Sequence, residues 1–322
     1  MALNAKSLWY VGPEHAELRE AEIGEPGRGA LRVRARFGAL SRGTESLIFH
    51  RRIPDAEFER MRAPFQWGAF PEAVSYGYIN VGEVEAGDPV RIGEQVFCLY
   101  PHHSHFLIPG DAAFSIPTHV PAKRCILAAN LETALNAIWD ASVLVGQKVQ
   151  VVGAGVVGCV LARLARRIPG VLVELVDETP SRRSIADALD VHFSTPAEAS
   201  SGFDVVFECS GSPDALAPCL ERVRTEGTLV IVSWYGEREA SLPLGSDFHS
   251  RRLRIVSSQV GRVSPNMPHT NHGERLRTAL RLLDDPALDA LITEEVEFMS
   301  LPERLPFLLS EHYTGICTRI VY

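Results

Sequence analysis

The sequence predicts an α/β protein with two domains, one built on a doubly wound parallel sheet and one mostly β. Three observations predict this. Short alternating runs broken by glycine and proline fill the first 120 or so residues, strands alternate with helices after residue 131, and a glycine-rich turn opens that second region. A chain of 322 residues that is 46% hydrophobic has enough apolar side chains for two hydrophobic cores.

The first region has the pattern of antiparallel strands. The segments "LRVRARFGAL", "EQVFCLY" and "HFLIP" are short runs rich in apolar residues, and the first alternates apolar and polar residues as strands with one buried face do. The end of the chain returns to helices at about 274–283 and 302–309 and finishes in "CTRIVY", a strand that we expect to rejoin this domain. The predicted division is 1–130 together with 264–322 for the mostly β domain, and 131–263 for the parallel sheet.

From residue 131 the pattern changes to parallel βαβ units. A helix is predicted for "AANLETALNAIWDA", and "KVQVVGAG" predicts a strand that leads into a helix near 156–168. The strand "LVELVD" precedes a second helix, for which Thr179 is the expected N-cap and Pro180 the first turn. "FDVVFECSG" precedes a helix over about 213–223, and "GTLVIVSW" and "LRIVSSQV" complete the series. Strands that alternate with helices predict a doubly wound sheet.

The segment "VVGAGVVG" predicts a dinucleotide-binding turn between a strand and a helix. Gly153 allows the tight turn, Gly155 lets the backbone approach a pyrophosphate, and Gly158 lets helix and strand pack closely. The amino end of the helix, with Val156 and Val157, offers free N–H groups to the anion.

An acidic residue at the end of the second strand favours NAD over NADP. A carboxylate at Asp177 can accept hydrogen bonds from both ribose hydroxyls and would repel a 2′-phosphate. Arg182 and Arg183 lie just beyond and could instead bind that phosphate, so NADP stays as the less favoured alternative. The predicted cofactor residues also include the three that follow the third strand: Cys209, Ser210 and Gly211.

Composition and charge limit the classes of partner. A net charge of −8 argues against nucleic acid, because phosphate binding needs a basic surface. The longest apolar runs are too short and too rich in glycine to span a bilayer, and the N-terminus lacks the pattern of a secretion signal, so we expect no membrane partner and a cytoplasmic protein. The six cysteines sit singly, which predicts reduced, mostly buried thiols.

The whole pattern resembles the medium-chain dehydrogenase/reductase superfamily, the zinc-type alcohol dehydrogenases. The resemblance rests on the order of "FGALSRGTES", "GYINVGEV", "GEQVFCLYP", the glycine-rich segment, "VFECSGSPDAL" and "EGTLVIVSW", and it covers nearly the whole chain. It implies a GroES-like catalytic domain and a Rossmann nucleotide-binding domain. It also implies a homodimer, in which the strands "RRLRIVSSQVGR" of two copies pair across a two-fold axis.

The sequence departs from the family at both zinc sites. The resemblance places the catalytic zinc ligands at Ser41, Tyr78 and Ala129. Hydroxyl groups are hard to deprotonate at neutral pH and alanine has no donor atom, so this set does not suit zinc. The four-cysteine lobe that holds a second zinc in relatives is missing as well. We therefore expect a protein that binds no metal.

Without zinc, the oxyanion formed when hydride reaches a carbonyl needs hydrogen-bond donors and a general acid. Tyr78 is the main candidate, and the alternative is a core tyrosine that fills the space left by the metal. Gly43 stands where many relatives carry a hydroxyl that relays the proton, so Thr44, Glu45 or Ser41 would have to replace it.

The remaining candidates come from a histidine-rich loop and from the resemblance. In "PHHSH", neighbouring side chains of an extended chain face opposite ways, so we expect no metal site there and consider His103 as an acid or substrate contact. The resemblance implies that Arg42 contacts the cofactor pyrophosphate and that Thr133 lies near the nicotinamide.

The sequence thus predicts a zinc-independent, NAD(H)-linked oxidoreductase that interconverts a secondary alcohol and a ketone. The "SRGTE" loop and the tyrosine at the histidine position resemble the superfamily branch that contains bacteriochlorophyllide hydroxyethyl dehydrogenase, which implies a small-molecule substrate that can be bulky. Two alternatives stay open. One is a C=C reductase of the quinone or enoyl type, whose relatives usually prefer NADPH, and the other is a non-catalytic NAD(H)-binding redox sensor.

Overall fold

The computed structural model describes residues 3–322, and these divide into two units. The first unit runs to Ala129 and also contains Leu280–Asp284 and Ile292–Tyr322, and the second comprises Asn130–Ala279 and Asp285–Leu291. The predicted division placed 264–279 and 285–291 in the mostly β domain, whereas the structure has them in the second unit. A buried ion pair is one reason for this difference: Arg275 Nε donates to Glu132 Oε1 at 3.0 Å. The pair joins segment 264–279 to the helix that opens the second unit.

Mostly antiparallel strands build the first unit. Its early elements are β1 (Leu3–Gly12), β2 (His15–Ile23), β3 (Ala30–Ala39), α1 (Arg42–Phe49), β4 (Trp67–Gly68), β5 (Val74–Ser75), β6 (Asn80–Ala86), β7 (Gln95–Cys98), β8 (His105–Pro109) and β9 (Ala113–Ser115). The alternating segment "LRVRARFGAL" is β3, in which buried residues alternate with partly buried ones. The period of two that predicted strands here is therefore the pattern of a one-sided sheet.

A parallel sheet forms the second unit. Its elements are α2 (Ala128–Ala141), β10 (Lys148–Val152), α3 (Val156–Arg166), β11 (Leu172–Val176), α4 (Arg183–Ala188), β12 (His192–Ser194), β13 (Phe203–Glu208), α5 (Leu216–Arg222), β14 (Val223–Ile231), β15 (Arg254–Ser257) and α6 (His272–Leu282). The strand order is β12-β11-β10-β13-β14-β15, with all neighbours parallel. The order reverses between β10 and β13, which is where such sheets bind ligands. The predicted doubly wound sheet is confirmed.

The end of the chain completes the first unit with β16 (Ile292–Glu297), α7 (Leu301–Leu308) and β17 (Cys317–Val321). One sheet has the order β16-β17-β3-β6-β7-β9, with β8 also paired to β3, and a second has the order β2-β1-β5-β4. The strand β17 pairs antiparallel with β3, so the prediction that "CTRIVY" rejoins the first domain is confirmed.

Each unit has its own apolar core. In the first unit one core cluster includes Tyr10, Phe49 and Leu305, and in the second unit a cluster between the sheet and α5 includes Val206 and Leu220. Within residues 3–322, none of the helices combines the length and the apolar character that crossing a bilayer would require.

Candidate functional site

Three hydroxyl groups meet in the first unit. Tyr78 lies between β5 and β6, and its Oη is 3.1 Å from Thr44 Oγ1 and in hydrogen-bond contact with Ser41 Oγ. Ser41 immediately precedes α1 and Thr44 belongs to the first turn of that helix, so the amino end of α1 presents both hydroxyls to the phenol. The structure therefore brings three predicted catalytic residues together. We call Ser41, Thr44 and Tyr78 the hydroxyl cluster.

Glu45 supports this cluster from within the core. It is fully buried, and its Oε1 accepts a hydrogen bond from the N–H of Ser41 at 2.6 Å. Its Oε2 accepts from Tyr10 Oη at 2.5 Å and from His102 Nε2 at 2.9 Å. These donors offset the cost of burying a carboxyl group, and the bond back to Ser41 resembles a capping box. Glu45 thus acts on the hydroxyl cluster by fixing the backbone of Ser41.

The environment of Tyr78 keeps its phenol protonated at neutral pH. Burial raises the pKa of Tyr78 above its ordinary value and the nearby Glu45 carboxyl raises it further, whereas the hydrogen bonds from Ser41 and Thr44 lower the pKa in part. The same two hydroxyls can stabilise a phenolate once the proton has left, because they can both donate to its oxygen. The Tyr78 phenol can therefore donate a proton, with two hydroxyl groups placed to support the phenolate that remains.

The two adjacent histidines have different surroundings. His103 is buried, with Nε2 2.9 Å from Ser75 Oγ and its ring centroid 4.7 Å from that of Trp67. Burial, and then the neighbouring His102, lower the pKa of His103 to about 3. Since His103 stays neutral above that pH and contacts none of the hydroxyl cluster, its geometry lends no support to the predicted acid role.

His102 is the histidine that the sequence analysis did not select. It has no exposed surface, and besides its bond to Glu45 its Nδ1 lies 3.5 Å from Tyr322 Oη. Because neighbouring side chains of an extended chain alternate in direction, only one of His102 and His103 could face the hydrogen bonds around Glu45. Nothing local in "PHHSH" identifies which one.

Arg42 and Thr133 belong to different units. The Arg42 side chain donates from Nη2 to the carbonyl oxygen of Ser310 at 2.6 Å, and its guanidinium carbon lies 5.3 Å from the ring centroid of Tyr313. Thr133 lies on α2 in the second unit and is partly buried. Their predicted contacts with a cofactor remain predictions.

The glycine-rich turn has the shape of a dinucleotide cradle. Gly153 has a φ of +105°, and a Cβ at Gly158 would lie 1.9 Å from the Gly153 carbonyl oxygen, so neither position accepts a side chain. A Cβ at Gly155 would meet no atom within 4 Å, so the space beside the turn is open. Gly155 precedes α3, whose first residues Val156 and Val157 have N–H groups without partners inside the helix. These residues fit the pyrophosphate of a dinucleotide.

Asp177 connects this turn to the end of β11. Its Oδ2 accepts a hydrogen bond from the N–H of Ala154 at 2.7 Å, and its Oδ1 accepts from the N–H of Thr179 at 2.8 Å. The predicted cap residue Thr179 makes no capping bond with its own side chain, and Arg182 ends the 3₁₀ turn that follows. Each carboxylate oxygen has two lone pairs, so Asp177 can still accept a hydrogen bond from a ribose hydroxyl.

The segment after β13 lies against the same turn. The N–H of Cys209 donates to the carbonyl oxygen of Val152 at 2.7 Å, and a Cβ at Gly153 would lie 2.6 Å from Ser210 Cα. Gly211 follows directly in the chain. The three residues predicted after the third strand thus lie beside the glycine-rich turn, where the strand order reverses.

The residues at the expected zinc positions do not fit zinc. Ser41 and Tyr78 hydrogen-bond to one another, the Tyr78 phenol is protonated at neutral pH, and Ala129 has no donor atom. Over residues 3–322 the structure has no group of three His, Cys, Asp or Glu side chains placed to hold a metal ion.

Known proteins resemble this chain along most of its length. A family model described as "Zinc-binding dehydrogenase" matches residues 156–283. The D-guloside 3-dehydrogenase of Escherichia coli is 26% identical over 339 aligned positions, which cover 95% of this chain and 97% of that protein. The 2-desacetyl-2-hydroxyethyl bacteriochlorophyllide A dehydrogenase of Cereibacter sphaeroides is 24% identical over 76% of this chain and 79% of its own.

A solved structure confirms the fold. The crystal structure of L-idonate 5-dehydrogenase from Escherichia coli matches with a TM-score of 0.83 at 18% identity, covering 100% of this chain and 99% of that one. The predicted fold class, a Rossmann sheet with a GroES-like mostly β domain, is therefore confirmed.

Proposed function

This chain belongs to the medium-chain dehydrogenase/reductase superfamily, and from that premise we propose that it is a zinc-independent, NAD(H)-linked dehydrogenase that interconverts a secondary alcohol and a ketone. It is an oxidoreductase of the alcohol dehydrogenase type. The observation that carries the finer proposal is the hydroxyl cluster: Ser41 and Tyr78, which stand at positions that the resemblance assigns to zinc ligands, contact each other.

Tyr78 holds the proton of the reaction on its phenol oxygen. During reduction it donates a hydrogen bond to the ketone oxygen and passes its proton to that oxygen as negative charge develops there. An alkoxide is a much stronger base than a phenolate, so the transfer is downhill. Ser41 and Thr44 then donate hydrogen bonds to the phenolate. During alcohol oxidation the same groups act in reverse: the phenolate form of Tyr78, held by hydrogen bonds from Ser41 and Thr44, accepts the alcohol proton.

The nicotinamide cofactor, when bound, supplies or accepts the hydride. The open space at Gly155 and the free N–H groups of Val156 and Val157 suit its pyrophosphate, and the Asp177 carboxylate suits an unphosphorylated ribose. NADH should bind more tightly than NADPH in parallel fluorescence titrations, and Asp177→Asn, which removes the charge but keeps an acceptor, should narrow the difference. Tighter binding of NADPH to the unaltered protein would contradict the NAD preference.

Zinc independence rests on the chemistry of the ligand positions. Protein treated with a chelator should keep its cofactor affinity and its activity, and elemental analysis should find well under one zinc per chain. One tightly held zinc per chain would contradict this part of the proposal.

We propose a sugar-derived secondary alcohol as the substrate class. The support is the similarity to D-guloside 3-dehydrogenase, which extends over 95% of this chain. A panel of methyl glycosides, polyols and bulky hydroxyethyl compounds with NAD⁺ can be followed by NADH absorbance. If only enones or quinones react, and with NADPH, a C=C reductase is the better description. Cofactor binding without turnover on any of them would favour a redox sensor.

The assembly proposed is a homodimer. β15 lies at the edge of the six-stranded sheet, where its backbone can pair with a second copy. Light scattering at micromolar concentration should give twice the mass of one chain, and the mass of a single chain would contradict a dimer.

Tyr78→Phe is the decisive test of the mechanism. Loss of the phenol proton should lower turnover by at least roughly tenfold, because general acid catalysis typically contributes about 10²- to 10⁴-fold and water can replace part of it. The affinity for NADH and the thermal stability should stay nearly unchanged.

Tyr76→Phe is the matched control for this test. Tyr76 is a neighbouring buried tyrosine whose ring centroid lies 6.2 Å from that of Tyr78, and its hydroxyl donates to the Met61 carbonyl at 2.9 Å. Its variant should turn over normally. If Tyr78→Phe is as active as Tyr76→Phe, Tyr78 only fills the space of the lost metal.

A further inference from the structure

Glu208, at the end of β13, is a fully buried carboxyl group that the proposed mechanism does not use. Its Oε1 accepts hydrogen bonds from the N–H of Ser210 at 2.6 Å and from the Ser210 hydroxyl at 2.5 Å. Its Oε2 accepts from Tyr235 Oη at 2.6 Å. Burial, and then the hydrogen bond to Glu208, raise the pKa of Tyr235, so its phenol stays protonated and is the donor. Glu208 thus joins two loops that follow neighbouring strands.

Two further hydrogen bonds connect the same loops through Gly211. Its N–H donates to Ser233 Oγ at 2.9 Å, and its carbonyl oxygen accepts from Arg238 Nη2 at 2.7 Å. Both backbone polar groups of Gly211 are therefore held by the loop after β14. We call residues 208–211 and 233–238, joined by these bonds, the 208/235 clasp.

The clasp lies in the second half of the parallel sheet. β13, β14 and β15 form that half, and β10, β11 and β12 form the first half, which carries Asp177. Sheets of this type bind one mononucleotide on each half, outside the carboxyl ends of the strands. The first half fits the adenosine part, since it bears the carboxylate suited to a ribose. The clasp therefore lies at the half that takes the nicotinamide part.

We propose that Glu208 and Tyr235 are positioning residues for the nicotinamide half of the cofactor, holding 209–211 in the shape that binds it. The inference rests on the proposed function, since it assumes a nicotinamide dinucleotide. The segment 209–211 has no regular secondary structure, and beyond the backbone bond at Cys209 its Ser210 and Gly211 are held by bonds to side chains. A loop held in its bound shape before the ligand arrives does not lose that conformational freedom on binding, which raises the affinity.

Tyr235→Phe tests the clasp by removing one hydroxyl and keeping the ring. Dissociation constants for NADH and for ADP-ribose, which lacks the nicotinamide, are measured by calorimetry on the full-length protein. The affinity for NADH should fall about three- to tenfold, which corresponds to the net contribution of one ordinary hydrogen bond, and the affinity for ADP-ribose should stay the same. If Tyr235 had only a structural role, the affinities for NADH and for ADP-ribose would fall by the same factor.

Two further variants serve as a second test and as a control. Arg238→Ala removes the bond to Gly211 from an exposed side chain, so this variant should fold normally. It should raise the ratio of the NADH dissociation constant to the ADP-ribose dissociation constant, as Tyr235→Phe does. Ser194→Ala is the matched control, because it removes a hydroxyl that donates to the buried Glu174 carboxylate at 2.7 Å in the first half of the sheet. It should leave the ratio unchanged.

The outcomes separate this proposal from the one on which it rests. An unchanged ratio in both Tyr235→Phe and Arg238→Ala, or a shift of equal size in Ser194→Ala, would overturn the clasp while NADH binding and turnover remained. Failure of the unaltered protein to bind NADH would instead overturn the proposed function.

Discussion

Glu45 in the first unit and Glu208 in the second are fully buried carboxyl groups with closely similar surroundings. Each accepts a hydrogen bond from a tyrosine hydroxyl and another from a nearby backbone N–H. They differ in the third donor, which is the imidazole of His102 for Glu45 and the hydroxyl of Ser210 for Glu208.

The two carboxyl groups also differ in which parts of the fold supply their hydrogen-bond donors. The donors to Glu45 come from β1, from the residue before α1 and from the loop after β7, so this carboxyl group ties the core of its unit together. The donors to Glu208 come from two loops at one end of a sheet. We infer that the first carboxyl group mainly stabilises a core and the second mainly shapes a binding loop.

The largest expected effect is a difference in stability between Glu45→Ala and Glu208→Ala. Removal of Glu45 leaves its donors in the core without a partner, and loss of one member of a buried charged pair typically costs about 3–5 kcal/mol, so a loss of that size is expected. Glu208→Ala should cost less, because Ser210 is exposed and Tyr235 is only partly buried, so both can reach water. Urea unfolding followed by circular dichroism measures both. A loss of stability in Glu208→Ala that equals or exceeds the loss in Glu45→Ala would contradict the different roles inferred for the two carboxyl groups.

A smaller effect concerns acid, to which the first unit should be the more sensitive because the buried histidines, His102 and His103, both lie there. The pKa of His103 is about 3 in the folded protein, below its ordinary value, so the unfolded chain takes up a proton first as the pH falls. The contribution of His103 to the free energy of unfolding is therefore fully present at pH 7 and is lost as the pH falls from about 6.5 towards 3. Between pH 7 and pH 5 the loss is about 2 kcal/mol.

His103→Gln should remove most of that dependence. Gln can keep a hydrogen bond to Ser75 but cannot take up the proton. Urea unfolding of both proteins at pH 7 and at pH 5 gives the comparison. If the variant and the unaltered protein lose the same stability over this range, the acid sensitivity has another origin.

The smallest effects come from the two serines next to these carboxyl groups. The Ser41 hydroxyl contacts Tyr78, whereas the Ser210 hydroxyl contacts Glu208. Ser41→Ala keeps the N–H bond to Glu45, so it should change stability by less than about 0.5 kcal/mol but slow turnover several-fold. Ser210→Ala should cost about 1 kcal/mol of stability and leave the chemical step unchanged. Denaturation and single-turnover kinetics distinguish these patterns, and equal kinetic effects would contradict the separation of roles.

Local signals were sufficient where neighbours in the sequence are also neighbours in space. The glycine-rich turn needs its three glycines because strand, turn and helix follow one another directly, so their spacing alone predicted the cradle. The expected position of Asp177 at the end of a strand followed from the same regular alternation. Zinc independence stays a prediction: the resemblance supplies the ligand positions, and alanine and hydroxyl groups are poor zinc ligands in any geometry.

The tertiary structure decided what depends on contacts between distant segments. Tyr10, Glu45 and His102 carry no shared pattern, and only the packing of β1, α1 and the loop after β7 brings them together. The choice between His102 and His103 depended on which face of one short segment turned inward. The sequence by itself determined the order of elements and the cradle, because periodicity and backbone sterics act over a few residues. The buried carboxyl networks and the unit to which 264–279 belongs were settled by the tertiary structure, because long-range hydrogen bonds leave no periodic trace in the chain.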